Sequence, residues 1–104
     1  MSGEFDIVSC FDWVNVVAIS EDNKLILVKQ YRHGIDDISL EVPAGVIDRG
    51  ELPLQAAKRE LEEECGASSE KWIDLGSTKV NPAFMTNTCY FFLALDCRFD
   101  KEQS

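Results

Sequence analysis

Gly45 to Ala67, GVIDRGELPLQAAKRELEEECGA, joins a glycine-punctuated loop to one amphipathic helix, and the rest of the chain is arranged around that junction. Ala44 to Gly50 carries two glycines, as a loop requires where its backbone bends sharply. Glu51 to Cys65 is the expected helix. Pro53 suits a first turn, Gly66 suits the position just past the end, and Leu54, Ala57, Leu61 and Cys65 recur at helical spacing. Those four side chains are expected to face a sheet.

Beside that stripe, Glu60, Glu63 and Glu64 stand at i, i+3 and i+4, which gathers three carboxylates on one adjoining face. On a solvated face their repulsion is worth only a few tenths of a kcal/mol per pair. In a cleft, two carboxylates about 6 Å apart at an effective dielectric near 20 repel by roughly 3 kcal/mol, so they protonate or bind a cation. An all-oxygen ligand set without histidine or cysteine favours magnesium or manganese, kept partly hydrated and shared with substrate phosphates. Periodicity alone leaves the solvated face and the cation site both open.

Outward from the helix, WVNVVAI (Trp13 to Ile19) is dense in β-branched residues. A turn at Ser20 to Asn23 and a second apolar run, Leu25 to Val28, follow it. A short strand is expected at Ile38 to Val42, ended by Pro43. Beyond the helix, Trp72 to Val80 reads as a strand, Asn81 to Thr88 as a loop around Pro82, and Cys89 to Leu95 as an apolar strand buried on at least one face. Trp13, Trp72, Tyr90 and Phe91 lie within strand patterns and are expected in the core. His33 is expected on a surface loop. With 104 residues and no repeat or linker, residues 1–104 form one α/β (α+β) domain that should bury roughly 65% of its unfolded surface.

Nineteen acidic against ten basic residues give a formal charge of -9, which disfavours nucleic acid and accepts an anionic small molecule only through metal ions. Cys10, Cys65, Cys89 and Cys97 form no C-x-x-C pair, and His33 is the only histidine, so a zinc site is not expected. Without a charged-then-apolar leader or an apolar run near 18 residues, the expectation is no membrane segment, reduced thiols and a cytoplasmic location.

The spacing Gly45, Glu51, then Arg59-Glu60-Leu61-Glu62-Glu63-Glu64-Cys65-Gly66-Ala67 resembles the Nudix box, with Ala67 at its last, normally bulkier apolar position. The resemblance implies a mixed-sheet sandwich with one main box helix and a divalent cofactor, Mg2+ or Mn2+. It implies Glu60, Glu63 and Glu64 as carboxylate ligands, joined by a backbone carbonyl near Ala44. Glu60, Arg59 and Glu63 become the candidate catalytic residues, with Glu60 the candidate for proton abstraction. Arg59 is expected to fork onto Glu51 and Glu60 as support for the ligands, a surface ion pair being its alternative. Gly45 is read as allowing close approach to metal or phosphate, and Gly66 as a left-handed helix cap.

Outside the box, Lys29-Gln30-Tyr31-Arg32 followed by Leu40-Glu41-Val42-Pro43-Ala44-Gly45 looks like the ADP-ribose pyrophosphatase branch. By that resemblance Arg32 meets substrate phosphate and Glu41 lies beside the site; an Arg32 to Glu41 salt bridge is the alternative. Asn81-Pro82-Ala83, with Thr86 and Asn87, is similar to a loop bordering the substrate cleft, so Asn81 and Pro82 join the substrate-binding candidates. The family usually continues into another strand, a second helix and a further glutamate. This sequence stops at Ser104, leaving Asp96, Asp100 and Glu102 for such a role. The reading is therefore a domain lacking the usual C-terminal helix, which hides exposed apolar surface in a homodimer. The resemblance implies hydrolysis of a nucleoside diphosphate derivative, ADP-ribose or a nucleotide sugar. The alternative is a catalytically impaired module that binds a nucleotide or a protein.

Overall fold

The computed structural model describes residues 12–32, 37–79 and 87–99. In chain order these form β1 (Trp13–Ser20), β2 (Leu25–Ile26), β3 (Val28–Arg32), β4 (Asp37–Glu41), β5 (Ala44–Val46), α1 (Pro53–Cys65), β6 (Ala67–Ser68), β7 (Lys71–Lys79) and β8 (Thr88–Phe99). The main sheet runs β2-β1-β8-β6, with β5 also paired to β1 and β7 to β8, while β3 and β4 form a separate antiparallel pair. β1 and β8 are parallel, and every other pairing in the main sheet is antiparallel.

β1 alternates as a half-covered strand should. Val14, Val16 and Ala18 are completely buried, and the parallel register aligns them with Tyr90, Phe92 and Ala94 of β8. That face receives α1 through Ala56, Ala57, Leu61 and Cys65. Leu54 and Trp72 pack at the margin, Trp72 meeting Phe92 edge-to-face at 6.5 Å between ring centroids. Trp13, expected in the core, instead lies on the opposite face at 45% exposure, because the period-2 alternation from buried Val14 turns it outward.

The helix starts at Pro53, two residues later than the composition suggests. Leu52 keeps an extended conformation (φ -78, ψ 151), and its N–H donates to Gln55 Oε1 at 2.9 Å. Glu51 lies outside the helix, where its Oε1 accepts the Asp48 N–H at 2.9 Å. Gly66 closes the helix in the left-handed region (φ 65), donating its N–H to Glu62 O at 2.8 Å.

The expected loop from Ala44 to Gly50 is part strand. Ala44, Gly45 and Val46 pair with Asn15, Val14 and Trp13, a long-range partnership that a two-glycine composition conceals. β8 extends to Phe99, beyond the expected end at Leu95, with Asp96 at φ 54 marking an irregularity in its register with β1. The expected Leu25 to Val28 strand divides at Leu27 into β2 and β3, and the expected Ile38 to Val42 strand shifts by one residue to β4. His33, Asn81, Pro82, Thr86, Asp100 and Glu102 lie outside the described residues, as does Val80 at the end of the expected Trp72 to Val80 strand. Among the described residues no helix is long and apolar enough to cross a membrane.

Candidate functional site

β5 and α1 meet where the loop returns to the helix, and Arg59 is the hub of that contact. Its Nε donates to Glu51 Oε2 at 2.8 Å and its Nη2 to Glu51 Oε1 at 3.0 Å, a two-pronged grip on one carboxylate. Nη2 also donates to the Val46 carbonyl at 3.0 Å, while Nη1 reaches Glu60 Oε2 at 3.0 Å and Glu63 Oε1 at 3.3 Å. Asp48 Oδ2 stands 3.7 Å from Nη2. One guanidinium thus ties the loop, β5 and two turns of helix together.

The acidic side chains of this cluster are not equivalent. Glu60 follows Ala56 by four residues and Ala57 by three, so helical geometry carries it to the edge of the buried stripe, where its side chain is 11% exposed. Glu63 is 59% exposed. Burial pushes the Glu60 carboxyl above the ordinary carboxylate range against the opposing hydrogen bond and charge of Arg59, with Glu64 and Glu63 adding to the rise. Glu51 is held below that range, first by its hydrogen bond from Arg59 and then by the Asp48 N–H. Arg59 is raised well above its ordinary value, chiefly by its bond to Glu51.

Gly45 leaves the space that Glu60 fills. A β-carbon on Gly45 would come within 2.7 Å of all three atoms of the Glu60 carboxyl group. Glu64 reaches the same loop, its Oε1 accepting the Ala44 N–H at 3.3 Å. Glu62, Glu63 and Glu64 sit in a last turn with no basic residue, where the helix dipole disfavours anions by roughly 0.3–1 kcal/mol each.

This donor set fits a hard divalent cation in its chemistry: oxygen ligands only, one of them desolvated, at a helix end short of positive charge. Among the described residues no three metal-binding side chains already converge on one point; Arg59 spans Glu60 and Glu63 in that place. Among the described residues Cys65, Cys89 and Cys97 are free thiols.

The remaining candidates are less concentrated. Glu41 is half-buried and its Oε2 accepts the Ser39 hydroxyl at 2.6 Å. In the β3–β4 ladder Arg32 pairs with Asp37 whereas Glu41 pairs with Val28. Their backbones are therefore four residue pairs apart, roughly 13 Å along the strands. The Arg32 side chain, and with it any contact to phosphate or to Glu41, lies outside the described residues, as do Asn81 and Pro82. Asn87, immediately before β8, is buried. Sequence reasoning missed the Val46 carbonyl and Asp48 as partners of Arg59. A backbone acceptor carries no residue-type signal, although an acidic residue three positions before Glu51 was a readable hint for Asp48.

Comparison with known proteins adds a family context. The NUDIX domain profile matches residues 12–104. The ADP-ribose pyrophosphatase of Bacillus subtilis is 37% identical over 81 residues, 78% of this chain and 44% of the relative. A Bacillus methanolicus protein named methanol dehydrogenase activator is 38% identical over 81 residues, again 78% of this chain and 44% of that protein. The crystal structure of an ADP compounds hydrolase superposes with a TM-score of 0.75 at 30% identity, covering 86% of this chain and 48% of the other. The chain thus spans less than half the length of these relatives.

Proposed function

This chain belongs to the Nudix family, and from that premise we propose that it hydrolyses a nucleoside diphosphate joined to another group, ADP-ribose or a nucleotide sugar, by attack of water on the diphosphate. The observation that carries the reading is the buried Glu60 carboxylate lodged against Gly45 and held by Arg59, beside Glu63 and Glu64. The names of the Bacillus subtilis relative and of the superposed hydrolase support ADP-linked substrates.

In this reading Glu60, Glu63, Glu64 and the Ala44 carbonyl would hold a magnesium or manganese ion. Bound there, the ion would polarise the bridging diphosphate and offset the charge that builds on the attacked phosphorus. Glu60, the family's candidate position for proton abstraction, is the proposed acceptor of the water's proton. Arg59 keeps that carboxylate oriented while Glu51 anchors Arg59 to the loop. Arg32 and Glu41 are the proposed substrate contacts from the β3–β4 pair, and Asn81 and Pro82 from the loop after β7.

The test is phosphate-coupled turnover of ADP-ribose, nucleotide sugars and nucleoside triphosphates with Mg2+ or Mn2+, comparing wild type with Glu63→Gln. That change keeps shape and removes one ligand charge. Turnover of one substrate class by wild type, reduced about 100-fold or more in the variant, is the expected result. No turnover of any substrate by a protein that binds the ion would overturn the hydrolase reading.

A further inference from the structure

A cavity of about 450 Å3 opens beside the last turn of α1, and one of its walls is Glu64, a carboxylate of the proposed cation site. Its volume lies within the roughly 300–1,000 Å3 typical of small-molecule sites. The facing wall comes from the β1–β2 turn and the start of β3, which contribute Lys24 and Lys29. Between the two walls the lining is mixed, with Ser20 and Asp22 beside Lys24 and an apolar part next to them. Leu25, Leu27 and Phe99 contribute to it at 51%, 38% and 55% exposure, so these side chains are turned to the cavity and solvent and not to the core.

Lys24 and Lys29 stand with Asp22 on one side and Glu64 stands on the other, and the cations near the two sides differ in how firmly they are held. Arg59 is consumed by Glu51, Glu60 and Glu63 and has little left for a substrate anion. Lys24 Nζ, by contrast, is 3.9 Å from Asp22 Oδ2 with both side chains at least 70% exposed, a long solvated pair that holds the ammonium weakly. Lys29 is exposed on β3, the strand that leads to Arg32. In a chain of formal charge -9, Lys24 and Lys29 offset Asp22 and Glu64 in this lining, so the cavity is locally neutral where the chain as a whole is acidic. A ligand with one anionic group and one flat apolar body complements this lining.

We propose that the cavity receives the nucleoside monophosphate arm of the substrate. Lys24 and Lys29 pair with its phosphate, and Leu25, Leu27 and Phe99 pack against its base. The proposal rests on the hydrolase reading for the identity of the substrate, and it assigns the direction in which that substrate leaves the acidic helix: past Glu64, over β2 and toward the β1–β2 turn.

The experiment is isothermal titration of AMP, without divalent cation, into wild type, Lys24→Gln/Lys29→Gln, and Lys58→Gln. Lys58 is an exposed lysine on α1 outside the cavity and controls for loss of one charge. A thermal melt checks that the double variant remains folded. AMP affinity should fall about tenfold or more in the double variant and stay within about twofold in Lys58→Gln. Ribose 5-phosphate, which has the phosphate without the base, should bind wild type at least about fivefold more weakly than AMP. Equal AMP affinity in wild type and double variant, no AMP binding by wild type at millimolar concentration, or ribose 5-phosphate binding as tight as AMP would each overturn the assignment. The two readings fail separately. Turnover with unchanged AMP affinity in the double variant removes the subsite and leaves the reaction, whereas lysine-dependent AMP binding without any turnover removes the reaction and leaves the nucleotide site.

Discussion

A β-carbon built on Gly45 would lie 2.1 Å from Oε2 of Glu60 and 2.3 Å from its Cδ, so the glycine and the carboxylate share one space. Gly45 is not among the described residues with positive φ, so space and not backbone freedom demands glycine there. In Gly45→Ala the side chain that must yield is the flexible end of Glu60, and the fold should survive. Stability should fall by about 1–2 kcal/mol as the Arg59–Glu60 bond is lost, while Mg2+ affinity and kcat/KM drop roughly 10–100-fold. Urea denaturation and a metal titration measure the two effects; unchanged metal affinity would reduce the Gly45–Glu60 contact to packing alone.

Arg59 serves five acceptor atoms from one plane: both oxygens of Glu51, one each of Glu60 and Glu63, and the Val46 carbonyl. A lysine ammonium is a point charge with three donors and cannot span that set. Arg59→Lys should therefore behave much like Arg59→Ala, each losing about 2 kcal/mol of stability without metal. In both variants added Mg2+ should raise the melting temperature more than it does in wild type, because the carboxylates have lost their internal counter-charge. Differential scanning fluorimetry with and without Mg2+ reads this directly. Full recovery by lysine would show that only the charge matters.

How far the sequence could be read depended on whether the signal was local. α1 was legible because Pro53, Gly66 and the spacing of Ala57, Leu61 and Cys65 all lie within one turn of the residues they constrain. The three glutamates were placed on one face by the same arithmetic. That arithmetic could not say that Glu60 would be nearly buried and Glu63 mostly exposed, since this depends on how α1 is rolled against β1 and β5. β5 was hidden because three residues containing a glycine carry no strand pattern; only β1, some thirty residues earlier, makes them a strand. The parallel alliance of β1 with β8 was equally out of reach, a pairing across most of the chain that period-2 alternation permits but does not select.

Leu61 is the largest fully buried side chain described, and it lies on the helix between Glu60 and the site's other carboxylates. Leu61→Ala removes three heavy atoms from the buried core that Leu61 shares with Val14, Val16 and Ala57, and should cost about 2–5 kcal/mol. Because its neighbours position Glu60, the variant's remaining folded fraction should also bind Mg2+ more weakly. Urea unfolding at 25 °C gives the first number and calorimetric metal titration the second. A loss below about 1 kcal/mol would mean the helix is free to settle onto the sheet, and that α1 is packed less tightly than its burial implies.

The three described thiols predict how stability depends on alkaline pH. Burial pushes Cys65, Cys89 and Cys97 above their ordinary value of 9.0, with Glu64 and Cys97 adding to the rise at Cys65. At Cys97 a backbone hydrogen bond from Ile19 and the Ser69 hydroxyl work against the rise, as Asn15 does at Cys89. Each thiol then keeps its proton in the fold at a pH where the unfolded chain has lost it. Above about pH 9 the unfolded state binds fewer protons than the folded one, so the thiols' contribution to stability, complete below that pH, declines as pH rises through the folded values. Urea midpoints from pH 7 to 10.5 should stay level on the thiols' account to about pH 8.5 and then fall. The fall should be shallower in Cys65→Ala and Cys97→Ala, the comparison of slopes cancelling the lysine and tyrosine titrations common to all three proteins. Iodoacetamide at pH 8 should modify Cys65 and Cys97 in urea but not in the native protein, since the thiolate is the reactive form and both sulfurs are buried. Native thiols that react as fast as unfolded ones, or identical slopes in all three proteins, would mean that these cysteines are open to solvent and contribute nothing to the alkaline limb.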